Sequence, residues 1–318
     1  MPAARVPRFP ASCDDSRTPR GGPHLTNEST RRLTTTIAVV TGASRGAGRG
    51  IALELGAAGA TVYVTGRSVR GAPAPGYDRF LAKVGLSSAP GTIDDTAEEV
   101  TRLGGTGIAA RCDHTDERAV QALFARVERE HGRIDLLVNN ATGHHQDEIT
   151  PAPFWEQPMS HWEGMFERGV RNHVIASRAA APMFLRQGRG LIVGTTFWDR
   201  DRWAGSFFYD LAKATLNRLA FGLAHDLRPH GVASLAVSPG WMRTELVLAG
   251  FGATEETWRD VPALAPTESP RYVGRAVAAL AADPRVMEKS GGVYRVGDLA
   301  REYGFTDVDG RQVPAFEL

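Results

Sequence analysis

The sequence predicts an α/β protein built on a single doubly wound parallel sheet with helices on both faces. Short apolar runs of four to six residues, rich in β-branched side chains, alternate along the chain with longer stretches of helical periodicity. A glycine-rich turn separates the first apolar run from the first helical stretch. The chain has 318 residues, of which 42% are hydrophobic and 23% charged, so it can bury the core that such a sheet needs.

Each element follows from its pattern. The predicted strands are 37–40, 61–65, 107–111, 134–138, 191–195, 232–237 and 292–296. The predicted helices are 47–58, 94–103, 116–130, 160–186, 207–227 and 271–282. This order builds βαβ units, and because their crossovers are right-handed, little choice of topology remains.

Three segments stand apart from the alternation. Residues 1–32 contain five prolines and no apolar periodicity, which predicts a disordered extension or an overlong start. A transit peptide is less favoured, because acidic residues interrupt the segment. Residues 33–318 form the predicted domain, with a Gly/Pro/Ser-rich insertion at 69–93 and a lid over the substrate at 241–270.

Composition excludes several functional classes. A net charge of +1 gives no electrostatic reason to expect binding to nucleic acid or to an anionic membrane. Two cysteines, Cys13 and Cys112, cannot form a disulfide framework. Because there is neither a long apolar span nor a signal-peptide pattern, we expect a cytoplasmic protein.

The turn after the first strand carries the first functional signal. It reads Thr-Gly-Ala-Ser-Arg-Gly-Ala-Gly and contains Gly42, Ser44, Arg45, Gly46 and Gly48. Glycines allow the backbone to approach a pyrophosphate, which the free N–H groups and dipole of the following helix stabilise. Placed between a strand and a helix at the head of a βαβ series, the turn predicts dinucleotide binding.

The end of the second strand bears on the choice of cofactor. NAD-binding chains usually place a carboxylate here, but this chain has Gly66 followed by Arg67. Arg67, together with Arg45 of the glycine turn, is suited to clamp a 2′-phosphate. NADP is therefore predicted and NAD remains possible, the alternative being that both are ordinary surface arginines.

Tyr209 and Lys213 lie four residues apart on a predicted helix, and so on one face of it. A phenol with a pKa near 10 is a weak acid–base catalyst at neutral pH, and a nearby cation favours its phenolate. The chain has only three lysines, so an incidental surface pair is the less favoured interpretation. We expect Tyr209 to transfer the proton and Lys213 to tune it. Both are also predicted to contact the cofactor, and Lys213 can hold the nicotinamide ribose.

Together with the motif Asn139-Asn140-Ala141 and with Pro239-Gly240 followed by Thr244, these residues resemble the short-chain dehydrogenase/reductase family, whose fold is the Rossmann type. The resemblance spans about 37–296 and points to the compact single-domain branch. Arg171-x-His173, the insertion and the tail at 297–304 resemble the dehydrogenase/reductase member 1 group within it.

The resemblance implies further cofactor contacts. Asp113 would bond the adenine and Asn140 would line the adenosine side, while the backbone at Met242 and the hydroxyl of Thr244 would hold the nicotinamide carboxamide. Capping of the following helices is the structural alternative for Asp113 and Thr244.

Two positions depart from the family pattern. The usual serine after the fifth strand is replaced. Thr196 has the family's usual separation from Tyr209 and is our first candidate for the serine position, with Thr195 as the second. Alignment from the start of the strand instead places Phe197 at that position. We expect Thr196 to orient the substrate oxygen, although satisfying strand-end backbone is an equal alternative. The family's helix asparagine aligns with Gly169, and nearby Asn172 receives no role.

Many aromatic residues follow strands four to six, which predicts an apolar pocket, although most single rings could equally be core. They are Phe154, Trp155, Phe197, Trp198, Trp203, Phe207, Phe208 and Trp241, with His144 and His145 nearby. The two histidines lack other ligands at suitable spacing, so no metal is expected.

The sequence thus predicts an NADP(H)-dependent oxidoreductase that interconverts a carbonyl and an alcohol on a lipophilic small molecule. The resemblance also implies a homo-oligomer. Two alternatives stay open: a nucleotide-sensing or regulatory protein that has lost catalysis, and an epimerase or dehydratase that uses the cofactor transiently.

Overall fold

The computed structural model describes residues 33–72, 74, 81–82, 85–87, 89–143, 152–198 and 202–318. The predicted extension at 1–32, much of the insertion and the pair His144–His145 lie outside these residues.

The described residues form one parallel sheet of seven strands in the order β3-β2-β1-β4-β5-β6-β7. The strands are β1 (Ile37–Val40), β2 (Thr61–Gly66), β3 (Thr106–Arg111), β4 (Leu136–Asn139), β5 (Gly190–Thr195), β6 (Val232–Ser238) and β7 (Val293–Arg295). The order reverses direction between β1 and β4, and in doubly wound sheets ligands bind at the carboxyl edge beside such a reversal. The predicted fold class is confirmed.

Helices connect the strands. They are α1 (Gly46–Ala57), α2 (Ile93–Arg102), α3 (Glu117–His131), α4 (Arg171–Gln187), α5 (Phe207–Leu227), α6 (Glu245–Gly250), α7 (Pro270–Ala282) and α8 (Val296–Tyr303). The turn Ser160–Trp162 and the π-helical segment Glu163–Val170 lead directly into α4.

Both faces of the sheet are buried because each strand alternates its side chains between two cores. One core packs α1, α2, α7 and α8 against the sheet, and the other packs α3, α4 and the end of α5. Helices α1 and α7 approach closely at Gly50, where an added Cβ would lie 1.9 Å from the carbonyl oxygen of Pro270. The chain thus needs glycine here for packing rather than for conformational freedom.

Three elements differ from the sequence prediction. Strand β4 begins at Leu136 rather than at 134, and the N–H and carbonyl of Ile134 bind the side chain of Gln187 instead of a neighbouring strand. The predicted helix at 160–186 contains a π-helical stretch. The tail after β7 forms α8, a short helix that periodicity did not indicate.

Candidate active site

A cavity of about 450 Å³ opens at the carboxyl edge of the sheet. All but one of the predicted site residues line it: Gly42, Ser44, Arg45, Gly46, Arg67, Asp113, Asn140, Thr196, Tyr209, Lys213, Met242 and Thr244. The exception is Gly48, which lies behind the lining. The tertiary structure therefore brings together residues that are far apart along the chain.

The glycine turn is held by close packing and by hydrogen bonds. Gly42 has φ +66°, and a Cβ there would lie 2.8 Å from the Cα of Ala141. The Asn140 side-chain amide donates to the carbonyls of Thr41 and Gly42, each at 3.0 Å. A Cβ on Gly48 would lie 2.3 Å from the oxygen of Gly42. Asn140 therefore fastens the turn to the end of β4, in addition to lining the cavity.

The N-terminus of α1 is an anion site. No side chain of the preceding residue caps this helix, and its first turn contains no acidic residue. The N–H of Gly46 donates instead to the Glu245 carboxylate at 2.8 Å, and Arg49 lies 3.9 Å from the same side chain. Free helix N–H groups beside a glycine turn are what a pyrophosphate needs, so these residues fit a dinucleotide. Glu245 is a neighbour that sequence reasoning missed, because its distance from α1 along the chain gives no signal of the contact.

The two predicted phosphate-binding arginines lie beside the end of β2. Arg45 donates to Ser68 Oγ at 3.1 Å and to the carbonyls of Pro90 and Gly91 at 2.8 and 3.1 Å, which ties the glycine turn to the far end of the insertion. Arg67 is more exposed, and its guanidinium lies 3.8 Å from the Asp113 carboxylate.

Asp113 accepts the backbone N–H of Thr115 at 3.0 Å and its hydroxyl at 2.7 Å. Partial burial by itself would raise the pKa of Asp113, but these hydrogen bonds outweigh it, so the pKa is lowered. The next helix is capped by Asp116, not by Asp113. Beneath Asp113, the buried His114 bonds Thr65, and burial lowers its pKa to about 4, so this ring is neutral.

Thr244 is the N-cap of α6, where its hydroxyl accepts the N–H of Val247 at 3.3 Å. The capping alternative is thus realised, while the residue still lines the cavity. Met242 forms a parallel bridge with Glu268, so the residues after β6 are tied to the start of α7.

Tyr209 and Lys213 both face the cavity from one side of α5. The ammonium lies 5.5 Å from the centroid of the phenol ring. Burial lowers the pKa of Lys213 to about 8. Burial, reinforced by the charge of Asp210, raises the pKa of Tyr209 above its usual value. In this arrangement the phenol is held protonated, a state suited to a proton donor.

The two candidate threonines donate their protons to protein groups. The Thr196 hydroxyl bonds the backbone oxygen of Lys213 at 3.1 Å, and Thr195 bonds Asn140 Oδ1 at 3.3 Å. In this conformation the Thr196 hydroxyl bonds helix backbone at Lys213 and, at the longer distance of 3.4 Å, the carbonyl of Phe197 just after β5. Phe197 stands next to the catalytic candidate, with its ring centroid 6.1 Å from that of Tyr209.

The aromatic residues expected around the pocket have different positions. Phe197 and Trp241 line the cavity, whereas Phe208 is core. Phe154, Trp155 and Trp203 are exposed. A residue that the sequence did not indicate, Phe316, packs against Phe197 with centroids 6.1 Å apart.

Within the described part of the chain, no group of side chains could hold a metal ion, and no helix is long and apolar enough to cross a membrane.

Comparison with known proteins identifies the family of this chain. The family model described as enoyl-(acyl carrier protein) reductase matches residues 74–287. Dehydrogenase/reductase SDR family member 1 of Mus musculus is 40% identical over 286 residues, which cover 87% of this chain and 84% of the relative. The Homo sapiens protein of the same name is 38% identical with the same coverage. The 7alpha-hydroxysteroid dehydrogenase of Escherichia coli K12 is 28% identical over 69% of this chain and 76% of the relative.

Solved structures show the same architecture. A short chain dehydrogenase from Mycobacterium thermoresistibile has a TM-score of 0.72 at 26% identity, covering 90% of this chain and 94% of that one. A 7α-hydroxysteroid dehydrogenase complexed with NADH and 7-oxo glycochenodeoxycholic acid has a TM-score of 0.65 at 25% identity, covering 85% and 96%. The chain therefore belongs to the short-chain dehydrogenase/reductase family, whose members are NAD(P)-dependent oxidoreductases acting on CH–OH groups.

Proposed function

We propose that this protein is an NADP(H)-dependent oxidoreductase that interconverts a carbonyl and an alcohol on a lipophilic small molecule, with Tyr209 as general acid/base. One observation carries the proposal: Tyr209 and Lys213 line the same cavity as the glycine turn and Arg67. A proton donor, a cation and a dinucleotide cradle are the parts that this reaction needs from the protein.

The proton chemistry follows from burial. In the reductive direction Tyr209 donates its proton to the carbonyl oxygen, and the ammonium of Lys213 stabilises the phenolate that remains. With a pKa of about 8, Lys213 is mostly charged at neutral pH. In the oxidative direction the same phenolate accepts the proton of the alcohol.

Thr196 is proposed to orient the substrate oxygen. Its hydroxyl proton would leave the Lys213 carbonyl for that oxygen, an exchange of one hydrogen bond for another. The exchange costs little, since the carbonyl has a second lone pair and lies next to the cavity.

The cofactor roles are assigned as follows. The pyrophosphate would lie on the glycine turn and the N-terminus of α1, the 2′-phosphate against Arg67 and Arg45, and the carboxamide against Met242 and Thr244. When bound, the nicotinamide supplies or accepts hydride. Gly66 supports NADP over NAD, because it leaves no carboxylate to repel the phosphate at the end of β2.

The substrate is proposed to be a bulky apolar carbonyl compound. Phe197 and Trp241 supply an aromatic wall, and a structural relative was solved with a steroid-like acid, 7-oxo glycochenodeoxycholic acid. We further propose that the protein forms a homo-oligomer and is located in the cytoplasm.

The test compares Tyr209→Phe with the wild-type protein on a panel of apolar carbonyls and alcohols. We expect turnover to fall at least about a thousandfold, because phenylalanine has no proton to donate, while NADPH binding measured by fluorescence stays within about twofold. Tyr294→Phe is the matched control and should keep wild-type turnover, because Tyr294 is not among the residues that line the cavity and its hydroxyl bonds the Lys289 carbonyl.

Two results would contradict the proposal. A wild-type protein that binds NADPH but turns over no compound would favour a nucleotide-sensing role. Turnover without net consumption of NADPH would favour an epimerase or dehydratase.

A further inference from the structure

Phe316 packs behind the wall of the cavity, between the ends of the two neighbouring strands β5 and β6. Phe197 follows β5 and Gly240 follows β6, and both residues line the cavity. The Phe316 and Phe197 rings have centroids 6.1 Å apart and planes inclined at 64°. A Cβ built on Gly240 would lie 3.2 Å from the Cβ of Phe316, closer than carbon atoms normally approach. Phe316 is not itself part of the lining, so it forms a second layer behind it.

Phe197 connects this second layer to the catalytic candidate. Its ring centroid lies 6.1 Å from that of Phe316 and also 6.1 Å from that of Tyr209. Both separations are those of aromatic rings in direct contact. A substrate whose carbonyl oxygen meets the Tyr209 hydroxyl therefore has a neighbouring group beside Phe197, and the position of the Phe197 ring decides how large that group can be.

The segment that carries Phe316, residues 311–318, is fixed by contacts with α7 and α8. The hydroxyl of Tyr272, in α7, donates to the carbonyl of Val313 at 2.9 Å, and Val313 is buried. A Cβ built on Gly297, in α8, would lie 2.2 Å from the backbone nitrogen of Ala315, so the segment and this helix are in close contact. Phe316 therefore has little freedom to move away when the Phe197 ring is pushed toward it.

We infer that Phe316 is a specificity-determining residue, which limits the size of the apolar group that a substrate can place against Phe197. The inference deepens the proposed function and rests on it. Protein interiors are close-packed, so a ring that is backed by a second ring cannot retreat without cost. A smaller side chain at position 316 leaves space into which Phe197 can turn, whereas a larger one presses Phe197 toward the cavity.

The experiment compares two methyl ketones that differ by one fused ring, acetophenone and 2-acetylnaphthalene, in Phe316→Ala, Phe316→Leu and Phe316→Trp. Turnover gives kcat/KM for each ketone, and calorimetric titration in the presence of oxidised cofactor, which cannot reduce a ketone, gives each Kd. In Phe316→Ala we expect the preference for the naphthyl over the phenyl ketone to rise at least about fivefold in both measurements, because only the larger ketone fills the new space. Leucine should give a smaller rise, and tryptophan should lower the preference.

Phe305 provides the matched control. It is also a half-buried phenylalanine of the last part of the chain, but it packs against Tyr272, with ring centroids 5.4 Å apart. Phe305→Leu should leave the preference within about twofold of the wild-type value, because changes at separate sites act independently. Phe316→Leu and Phe316→Trp keep an apolar side chain behind Phe197, so they decide the matter if Phe316→Ala does not fold.

The inference is overturned if the folded variants keep the wild-type preference, or if both ketones are impaired alike, which is what a merely structural role of Phe316 predicts. Failure of the proposed function looks different. The wild-type protein would then turn over neither of these ketones nor any other compound of the panel, while the ratio of the two Kd values would still report on Phe316.

Discussion

Arg45 and Arg67 both lie near the proposed 2′-phosphate, but their surroundings give them different roles. Arg45 is engaged by Ser68 and by two carbonyls of the insertion, so it braces the turn. Arg67 has a long contact with Asp113, and its side chain is 42% exposed. A charge held this loosely can be redirected to a ligand at little cost.

Arg67→Ala should therefore weaken NADPH binding by about ten- to a hundredfold, through loss of charge-assisted bonds to the phosphate, and should leave NADH binding unchanged. Fluorescence titrations with both cofactors measure this. Arg70→Ala is the matched control: Arg70 is an exposed arginine three residues further on that pairs with Asp95 and Glu98. Equal affinities for NADPH and NADH in wild type and Arg67→Ala would refute the NADP preference.

At the scale of elements, the N-terminus of α1 bears directly on cofactor binding. Its dipole and free N–H groups attract anions, and the carboxylate of Glu245, from the first residue of α6, binds there. A pyrophosphate and this carboxylate are of like charge and compete for the same N–H groups. We therefore expect cofactor binding to displace the Glu245 carboxylate from this N–H group.

Glu245→Gln should bind NADPH about three- to tenfold more tightly at low salt, because the competing charge is gone. The gain should shrink in high salt, where charge repulsion is screened. Isothermal titration at two salt concentrations measures both effects, with the exposed Glu288→Gln as control. Unchanged or weaker binding by Glu245→Gln would show that the carboxylate does not oppose the cofactor.

At the scale of the whole molecule, a buried polar cluster joins the segment after β6 to the segment after α8. Arg243 is fully buried, with its guanidinium 3.4 Å from Asp307 and 4.3 Å from the centroid of the Trp258 ring. Asp307 also accepts the N–H of Ser269. Glu268 lies beside this cluster and behind Gly240. Burial and the charge of Asp307 raise the pKa of Glu268 to about 8. The hydrogen bond from the Gly240 backbone and the charge of Arg243 lower this pKa but do not outweigh the burial.

This cluster makes global stability depend on pH. Glu268 is protonated in the folded chain up to about pH 8, whereas in the unfolded chain it ionises near its ordinary value of 4.5. The unfolded state thus holds fewer protons between these values, so the contribution of Glu268 to stability falls as pH rises from about 4.5 to about 8 and is level above.

Glu268→Gln, which mimics the protonated acid, should abolish this loss and raise the free energy of unfolding at pH 8 by about 1–3 kcal/mol. Urea unfolding at pH 5.5, 7 and 8.5 measures it, again with Glu288→Gln as control. If the variant and the wild-type protein lose stability in parallel over this range, Glu268 is not the group responsible.

Local pattern was sufficient to predict the sheet and most helix boundaries. Apolar runs bounded by turn residues define parallel strands, and the carboxyl ends of such strands always meet at one edge, so residues following them were predictable as neighbours. The strand pattern predicts the position of Gly42, the family resemblance implies Asp113 and Asn140, and the helical spacing pairs Tyr209 with Lys213; all five line the same cavity.

The tertiary structure alone decided which partner each of these residues has. Contacts such as Gly46 with Glu245, 199 residues apart, or Thr196 with the Lys213 carbonyl leave no trace in periodicity or spacing. The burial that lowers the pKa values of His173 and Lys213 has the same origin. The sequence by itself determined the fold class, because it depends on local periodicity, and together with the family resemblance it indicated most of the predicted residues that line the cavity. Their hydrogen bonds and charges were decided by packing between distant segments, because desolvation and partner choice exist only once those segments meet.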